Sequence, residues 1–378
     1  MNLSIDGRGI TLYNGSGIGT YTANFLKELI TIDNKNNYTI FWAGYNYDDF
    51  KSTNTNIILT SKKHGMFYED FYYPNYLQSN NIDLHHIPQN GIGLSKDYRV
   101  PCIVTIHDLI PYTMPQTCGK GYLTRFLKDM PYIIENSKGI LTVSEYSKQD
   151  ILKFFPSFPE DKIFVTPLAA NSSFYPMKKS ICINFLKEKY NIDDPFILYI
   201  GGFSSRKNVK ELITSFNDIY SSLKNKYKLV LCGSIKDEGK KLEEFCKELY
   251  ISDKVIFTGF VPDEDLPFFY NSCDLFVYPS LYEGFGLPPL EAMSCKTPVI
   301  ASNLTSIPEV TKDCALLIDP FNKDELSSAI LDILNSPYLK EELAEKGYNN
   351  SRNFTWRKTA ELTLKAYESV YNSLSNSQ

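Results

Sequence analysis

Several features are scarce or missing in this sequence. No apolar run approaches membrane-spanning length, and the eight cysteines are scattered without a Cys-x-x-Cys pair, which excludes the usual zinc and redox-dithiol motifs. There is no low-complexity tract and no basic block, and 39 Lys and Arg against 44 Asp and Glu give a net charge of −5. Nucleic acid is therefore not an expected partner.

The cysteines lie mostly in apolar surroundings, which is typical of buried thiols in a reducing compartment. The first residues, Met1-Asn-Leu-Ser-Ile-Asp6, do not have the pattern of a signal peptide. We therefore expect a cytoplasmic protein. Peripheral attachment to the inner face of a membrane stays open, because it needs no spanning segment.

Strand and helix patterns alternate along 378 residues, a length that favours two domains. Expected strands lie at residues 3–5, 39–42, 56–59, 82–85, 102–106, 140–143 and 163–165, then at 196–200, 228–231, 255–258, 275–277, 298–300 and 315–318. Such alternation predicts two doubly wound, Rossmann-like α/β sheets with a cleft between them. The predicted domains are 1–170 and 171–354, and a terminal helix at 355–378 is expected to pack back on the first domain.

The stretch from Tyr278 to Pro298 combines a glycine-rich turn with a helix start. Pro288 and Pro289 suit the first turn of a helix, where backbone N–H groups lack partners. The amides of Gly286 and Leu287 and the positive end of the helix dipole predict a phosphate cradle. The turn follows a buried strand, and ligands of open α/β sheets bind outside the carboxyl ends of strands.

Two carboxylates, Glu283 and Glu291, flank this turn. They could bind a sugar nucleotide, or they could be an ordinary turn residue and a residue that favours a helix dipole. Arg206 and Lys207 follow another predicted strand and could neutralise a diphosphate, since arginine offers a bidentate fork and lysine a point charge. The alternative is that both cations are ordinary surface residues.

Histidines and glycines in the first half are further candidates. His107 follows the strand at 102–106 and could contact a reacting sugar or simply stand in a turn capped by Asp108, whereas His85 and His86 are expected to be structural. The loop with Gly17 and Gly19 matches a dinucleotide fingerprint poorly, because the glycine spacing is wrong and no acidic residue ends the second strand. It could still approach a diphosphate through backbone amides.

An aromatic patch spans residues 65–76. Aromatic faces suit stacking on sugar rings or contact with lipid, but the helical spacing of Phe67 and Phe71 favours packing into the core.

These motifs together resemble the retaining glycosyltransferases of family four, which have the GT-B fold of two facing Rossmann-like domains. The most specific part is Glu283-Gly-Phe-Gly-Leu-Pro-Pro-Leu-Glu291, which looks like the family's signature of two glutamates with seven residues between them. Further matches are Gly17-Ile-Gly19, Thr105-Ile-His-Asp-Leu109, Val143-Ser-Glu-Tyr-Ser147, the segment from Gly201 to Asn208 and Phe257-Thr-Gly-Phe-Val261. The resemblance covers nearly the whole chain.

The resemblance implies a role for each matching residue. Glu291 would hold the ribose hydroxyls, Glu283 and His107 would lie at the donor sugar, and Arg206 and Lys207 would bind the diphosphate. Backbone around the donor would come from Gly17, Gly19, Phe260, Val261, Gly284, Phe285, Gly286 and Leu287. One departure is Phe203, where many members have arginine, so the phosphate role of Lys207 is better supported than that of Arg206.

The resemblance is greatest to a mannosyltransferase-like branch, which implies transfer of a hexose, best mannose from GDP-mannose, to a glycan or lipid-linked glycan of a cell-surface polysaccharide or glycoconjugate. It implies retention at the anomeric carbon and no metal or other cofactor. Three alternatives stay open: a UDP-sugar donor, a nucleotide-sugar epimerase of the same fold, and a non-catalytic protein that binds a nucleotide sugar. Acceptor, linkage and oligomeric state do not follow from the motifs.

Overall fold

A computed structural model describes residues 1–13 and 15–375 of the chain. The chain forms two compact units, the first built from Met1–Leu168 and the segment that begins at Thr355, the second from Ala169–Phe354. Each unit has its own parallel sheet and its own core.

The first unit is built on seven parallel strands in the order β3-β2-β1-β4-β5-β6-β7. The strands are β1 Asn2–Asp6, β2 Asn37–Ala43, β3 Thr55–Thr60, β4 Leu84–Ile87, β5 Cys102–Ile106, β6 Gly139–Thr142 and β7 Ile163–Val165. The strands β1, β4, β5 and β6 are buried along nearly their whole length, as central strands covered on both faces are.

Helices connect these strands: α1 Gly9–Leu12, α2 Gly17–Ile32, α3 Gly65–Phe67, α4 Tyr73–Ser79, α5 Ile110–Thr113, α6 Lys120–Asn136 and α7 Glu145–Phe154. Short 3₁₀ turns lie at Asp48–Phe50, Lys62–His64, Pro115–Thr117 and Glu160–Lys162. A π-helix of five residues, Tyr68–Tyr72, joins α3 to α4.

The second unit has six parallel strands in the order β10-β9-β8-β11-β12-β13. They are β8 Phe196–Ile200, β9 Lys228–Cys232, β10 Val255–Gly259, β11 Leu275–Tyr278, β12 Val299–Ser302 and β13 Leu316–Ile318. The helices are α8 Lys179–Tyr190, α9 Val209–Ile219, α10 Asp237–Glu248, α11 Leu266–Ser272, α12 Leu287–Ser294, α13 Ile307–Thr311, α14 Lys323–Asn335 and α15 Pro337–Ser351, with 3₁₀ turns at Ser205–Lys207, Tyr220–Ser222 and Lys312–Cys314.

The last helix, α16 Trp356–Ser375, belongs to the first unit and packs on α2. The Trp356 ring lies 6.5 Å from that of Tyr21, and the Tyr367 hydroxyl is 2.6 Å from Nδ1 of His86. The other ring nitrogen of His86 is 2.7 Å from the Thr105 hydroxyl. His86 is therefore structural, as predicted, and it ties the terminal helix to the sheet. Among the described helices, none combines the length and the apolarity that crossing a bilayer requires.

All thirteen predicted strands are present, although β4 begins two residues later than expected. The prediction for the aromatic patch was wrong for Phe67 and Phe71, which are exposed on the surface, whereas Tyr73, two residues after Phe71, is fully buried. The π-helix accounts for the error, because its wider turn shifts the apolar face away from the 3.6-residue period.

Each sheet has a topological switch point, where the strand order reverses. From its first strand the chain adds strands toward one edge of the sheet, and it then returns to the other side of that strand and adds the rest toward the opposite edge. In the first unit this point lies between β1 and β4, and in the second between β8 and β11. Loops at the carboxyl ends of such strand pairs diverge and leave a crevice, which is where open α/β sheets bind ligands.

Candidate functional site

The loops after β8 and β11 meet at the switch point of the second unit. The segment after β8 holds Arg206 and Lys207, and the segment after β11 holds Glu283. The two segments are joined directly, since the amide of Leu281 donates to the carbonyl of Arg206 over 2.8 Å. Residues 76 positions apart in the sequence thus share one small site.

Glu283 forms an ion pair with both cations. Its Oε1 lies 2.6 Å from Nζ of Lys207 and 2.9 Å from Nη1 of Arg206, and all three side chains are largely buried. Arg206 also donates to the carbonyl of Tyr282. The interpretation of Arg206 and Lys207 as ordinary surface residues is therefore excluded, and the cluster carries one net positive charge.

Two hydroxyl groups complete the environment of the Glu283 carboxylate. Tyr278 donates to Oε1 over 3.0 Å and Ser280 over 2.5 Å, and Nζ of Lys207 also lies 2.6 Å from the Tyr278 hydroxyl. Burial alone would raise the pKa of Glu283, but Lys207, Arg206 and these hydrogen bonds outweigh it and lower the pKa to about 2. The carboxylate is ionised at neutral pH and is a weak base.

Helix α12 begins beside this cluster, as the proline pair predicted. Gly286 caps it with a φ of 113°, and a Cβ at this position would lie 2.7 Å from Cδ1 of Ile307, so the turn requires glycine. The loop after β12 supports the turn: Ser306 donates to the carbonyls of Glu283 and Phe285, and the amide of Glu283 donates to Thr305. The first amides of α12 have no partner within the helix, which is the geometry that binds phosphate.

Glu291 lies in the second turn of α12, half-buried. Its Oε2 accepts a hydrogen bond from the buried Tyr270 hydroxyl over 2.9 Å. Burial raises the pKa of Glu291 to about 7 and Asp263 adds to the increase, while the Tyr270 hydrogen bond opposes it. The two glutamates of the motif therefore differ in pKa. The cations keep Glu283 ionised, whereas neutral pH lies close to the pKa of Glu291.

The remaining candidates of the second unit are backbone positions. Phe260 has 65% of its surface exposed and follows Gly259, whose φ is 74°, whereas Val261 is buried. Gly284 and Phe285 are buried, and the Phe285 ring packs 6.0 Å from that of Phe354. Phe203, the departure from the family resemblance noted above, is buried against Tyr199 and Phe257 and is part of the core.

In the first unit, His107 is held in one orientation at the end of β5. Its Nε2 lies 2.8 Å from the carbonyl of Pro88, which can only accept, so Nε2 carries the proton. Its backbone amide donates to Oδ1 of Asn90, also over 2.8 Å. Burial lowers the pKa of His107 to about 4, with the Pro88 carbonyl opposing it, and the ring is therefore neutral at pH 7.

Gly17 and Gly19 lie in the first turn of α2. Ser16 caps the helix by accepting from the Gly19 amide. Tyr21, one residue beyond Thr20, packs edge-on against the His107 ring at 4.9 Å. The structure therefore brings the glycine segment and His107 together within the first unit.

Sequence reasoning missed several supporting residues. Tyr278 ends β11 and Ser280 follows it by two residues, so their position at the strand's carboxyl end could have marked them. Thr305 and Ser306 follow the neighbouring strand β12 and could have been found by the same rule. Tyr270 and Asn90 have no local signal, because their contacts depend on the packing of distant segments.

Two parallel sheets of the classical doubly wound order, one with cations and a helix start at its switch point, are typical of proteins that bind nucleotide-linked phosphates.

Comparison with known families identifies the class more closely. Residues 183–354 match the model "Glycosyl transferases group 1" and residues 15–173 match "Glycosyltransferase Family 4". The chain is 35% identical over 266 residues to O-antigen chain mannosyltransferase B of Escherichia coli, a match that covers 70% of each chain. It is 31% identical over 237 residues to O-antigen chain mannosyltransferase RfbU of Salmonella typhimurium, covering 62% of this chain and 61% of the relative.

Solved structures share the fold at lower identity. Sucrose-phosphate synthase of Thermosynechococcus elongatus superposes with a TM-score of 0.76 at 20% identity, over 99% of this chain and 100% of the other. Anabaena HepE, in complex with UDP and glucose, superposes with a TM-score of 0.74 at 17% identity, over 97% and 99%. The chain belongs to the family four glycosyltransferases and has their GT-B fold.

Proposed function

We propose that the protein transfers mannose from GDP-mannose to a glycan acceptor in the synthesis of a cell-surface polysaccharide, with retention of the anomeric configuration and without a metal ion. The similarity to two O-antigen mannosyltransferases supports the sugar and the pathway class. The observation that carries the proposal is the cluster of Lys207, Arg206 and Glu283 beside the start of α12.

The cluster suits a leaving diphosphate. As the bond between the anomeric carbon and the phosphate oxygen breaks, negative charge grows on the diphosphate, and Lys207, Arg206 and the amides of Gly286 and Leu287 stabilise it. The acceptor hydroxyl oxygen forms its bond to the anomeric carbon on the face that the diphosphate leaves, and its proton passes to the leaving phosphate. No protein nucleophile takes part.

The carboxylates have separate roles in this proposal. Glu283, with its low pKa, orients the two cations and accepts from a donor hydroxyl rather than removing a proton. Glu291 accepts hydrogen bonds from the ribose hydroxyls. Burial disfavours its ionised form in the free protein, and these hydrogen bonds stabilise that form when the donor binds. The weak basicity of Glu283 also counts against an epimerase, which needs an acid and a base around the sugar.

The function is tested by incubating the protein with GDP-mannose, GDP-glucose, UDP-glucose and UDP-galactose, measuring donor binding by calorimetry and transfer to α-linked mannosides by mass spectrometry. We expect GDP-mannose to bind best and to extend the acceptor by one hexose. Binding of UDP-sugars alone would overturn the mannose proposal, an altered nucleotide sugar without acceptor would indicate an epimerase, and binding without turnover would indicate a sensor.

Metal independence is tested in the same assay. Transfer should continue at the same rate after treatment with a chelator, because cations of the protein meet the charge of the leaving group. Loss of transfer that magnesium or manganese restores would refute this part of the proposal.

A further inference from the structure

A buried series of hydrogen bonds crosses the first unit and ends beside His107. It runs from Tyr367 on α16 to His86 on β4, then to Thr105 on β5 and Tyr21 on α2. We call these four residues the Tyr367 network. We propose that the network positions the His107 ring for sugar transfer and that Tyr367 is thereby a positioning residue of the reaction, an inference that rests on the proposed function.

All four side chains of the network are buried. Tyr21, Thr105 and Tyr367 have 0% of their surface exposed, and His86 has 1%. Hydrogen bonds between such groups contribute little net stability, and apolar side chains of the same shape would often serve the fold as well. A fully satisfied polar network instead selects one arrangement of its members. The expected role of the network is therefore to hold a geometry.

The direction of each hydrogen bond follows from the Tyr367 hydroxyl. Within residues 1–13 and 15–375, its hydrogen-bond partner is Nδ1 of His86 alone, 2.6 Å away. A buried O–H group without an acceptor is costly, so Tyr367 donates and Nδ1 accepts. Burial, with smaller effects of His85 and His107, lowers the pKa of His86 well below its usual range. The His86 ring is therefore neutral, and its one proton is on Nε2.

This proton on Nε2 sets the rest of the network. Nε2 donates to the Thr105 oxygen over 2.7 Å, and the Thr105 hydroxyl donates in turn to the Tyr21 oxygen over 3.1 Å. Burial raises the pKa of Tyr21 to about 12, and hydrogen bonds with Thr105, Thr166 and Thr363 oppose the increase. The Thr363 hydroxyl itself donates to the carbonyl of Thr359, so its oxygen can accept from Tyr21. Every donor in the network thus has an acceptor.

Tyr21 connects this fixed order to His107. Its hydroxyl is held by Thr105, two residues before His107 in the sequence. Its ring packs edge-on against the imidazole, with 4.9 Å between the ring centroids and 84° between the ring planes. Because the tyrosine ring is held at its hydroxyl end, it resists tilting and blocks rotation of the His107 ring.

The orientation of the His107 ring decides which atom it offers to a ligand. Nε2 donates to the carbonyl of Pro88, which leaves Nδ1 as an acceptor for a hydroxyl group. Rotation of the ring by 180° about its bond to Cβ would put a carbon atom in the place of Nδ1. The position of this acceptor therefore depends on the contact with Tyr21 as well as on Pro88.

The network also extends to the glycine segment and to the terminal helix. Tyr21 follows Gly19 by two residues in α2, so one anchored side chain supports both this segment and His107. Trp356, the first residue of α16, lies 6.5 Å from the Tyr21 ring, measured between centroids. Helix α16 is therefore a support of the site as well as a cover for the sheet.

The variant Tyr367→Phe removes the first donor of the network and keeps the ring. The rate of mannose transfer from saturating GDP-mannose should fall about fivefold, the effect of one lost hydrogen bond on a positioned group. The Kd of GDP-mannose should change by less than about twofold, because its diphosphate binds to the second unit. Tyr371→Phe removes another hydroxyl of α16, four residues further on and outside the network, and this matched control should change neither value.

The signals of the imidazole nitrogens distinguish positioning from general support of the fold. The chain has four histidines, so ¹⁵N-histidine labelling gives a simple NMR spectrum of the whole protein. In the wild type, His86 and His107 should both carry their proton on Nε2. In Tyr367→Phe the His107 signals should shift or broaden, and in Tyr371→Phe they should stay as in the wild type. A lower rate with unchanged His107 signals would show a merely structural role and would overturn the proposal.

A pair of variants at Thr105 tests the middle of the network. Thr105→Val keeps the shape of the side chain and removes the hydroxyl, whereas Thr105→Ser keeps the hydroxyl. The serine variant should transfer mannose faster than the valine variant, with native circular dichroism in both. Equal rates in the two variants would contradict a role of the hydroxyl and overturn the proposal.

The wild-type protein separates this proposal from the proposed function. If it transfers mannose, and Tyr367→Phe changes neither the rate nor the His107 signals, only the network proposal fails. If the wild type neither binds GDP-mannose nor transfers mannose, the proposed function fails. The NMR spectra then still decide whether Tyr367 controls the orientation of His107.

Discussion

Replacing Glu291 by Gln should make the second unit more stable and the donor site weaker. The carboxyl has a pKa of about 7 in the folded protein, against about 4.5 when unfolded. Above pH 4.5 the unfolded chain gains an ionised group that the folded protein accommodates poorly, so the folded state loses stability as the pH rises from 4.5 to 7. The loss approaches about 3 kcal/mol above pH 7, an upper bound because the side chain is only half-buried.

Gln has nearly the same shape and still accepts from Tyr270, so the variant removes this cost and little else. At pH 8 the melting temperature of the second unit should rise by at most roughly 10 °C, and at pH 4 the two proteins should melt together. Both tryptophans, Trp42 and Trp356, lie in the first unit, so far-ultraviolet circular dichroism and hydrogen exchange of α12 are the suitable probes. Equal or lower stability of the variant at pH 8 would refute the reasoning.

Three further predictions concern other parts of the molecule. Glu283→Gln should destabilise the second unit by about 3 kcal/mol at pH 7, because it leaves Arg206 and Lys207 without their shared carboxylate. A urea unfolding curve that matches the wild type would contradict the ion-pair account. Gly286→Ala should cost about 1 to 2 kcal/mol through its positive φ and weaken GDP-mannose binding, a result checked by thermal melting and calorimetry; unaltered melting would show that the turn tolerates a side chain. The first unit should lose stability as the pH falls from 6.5 to 4, because burial lowers the pKa of His107 and of His85 to about 4 while the same histidines of the unfolded chain bind protons near pH 6.5. Tryptophan fluorescence should show acid unfolding of this unit. A urea midpoint that stays constant over this pH range would rule the linkage out.

The sequence predicted the two sheets well, because parallel strands buried on both faces appear as short apolar runs that local reasoning can find. It also placed Arg206, Lys207 and the motif from Glu283 to Glu291 at strand ends, and the structure confirms that position. Strand order could not be read from the pattern, although it is what makes β8 and β11 neighbours and joins the two loops.

Other features depended on packing that no local pattern reports. The ion pairs of Glu283, and with them its low pKa, require the two loops to be in contact. The Tyr270 hydroxyl reaches Glu291 from another helix, and Asn90 fixes His107 from the loop after β4. The exposure of Phe67 and Phe71 follows from a π-helix, and a helical wheel with 3.6 residues per turn predicts burial instead.

We propose that the switch point of the second unit binds the diphosphate of a sugar nucleotide through Lys207. Calorimetric titration of GDP-mannose into the wild type and into Lys207→Met, at low and at physiological salt, tests it most directly. The account predicts at least about tenfold weaker binding in the variant, since a charge-assisted contact contributes about 1.5 to 3 kcal/mol, and a reduced dependence on salt. Equal affinity and equal salt dependence in the two proteins would contradict it.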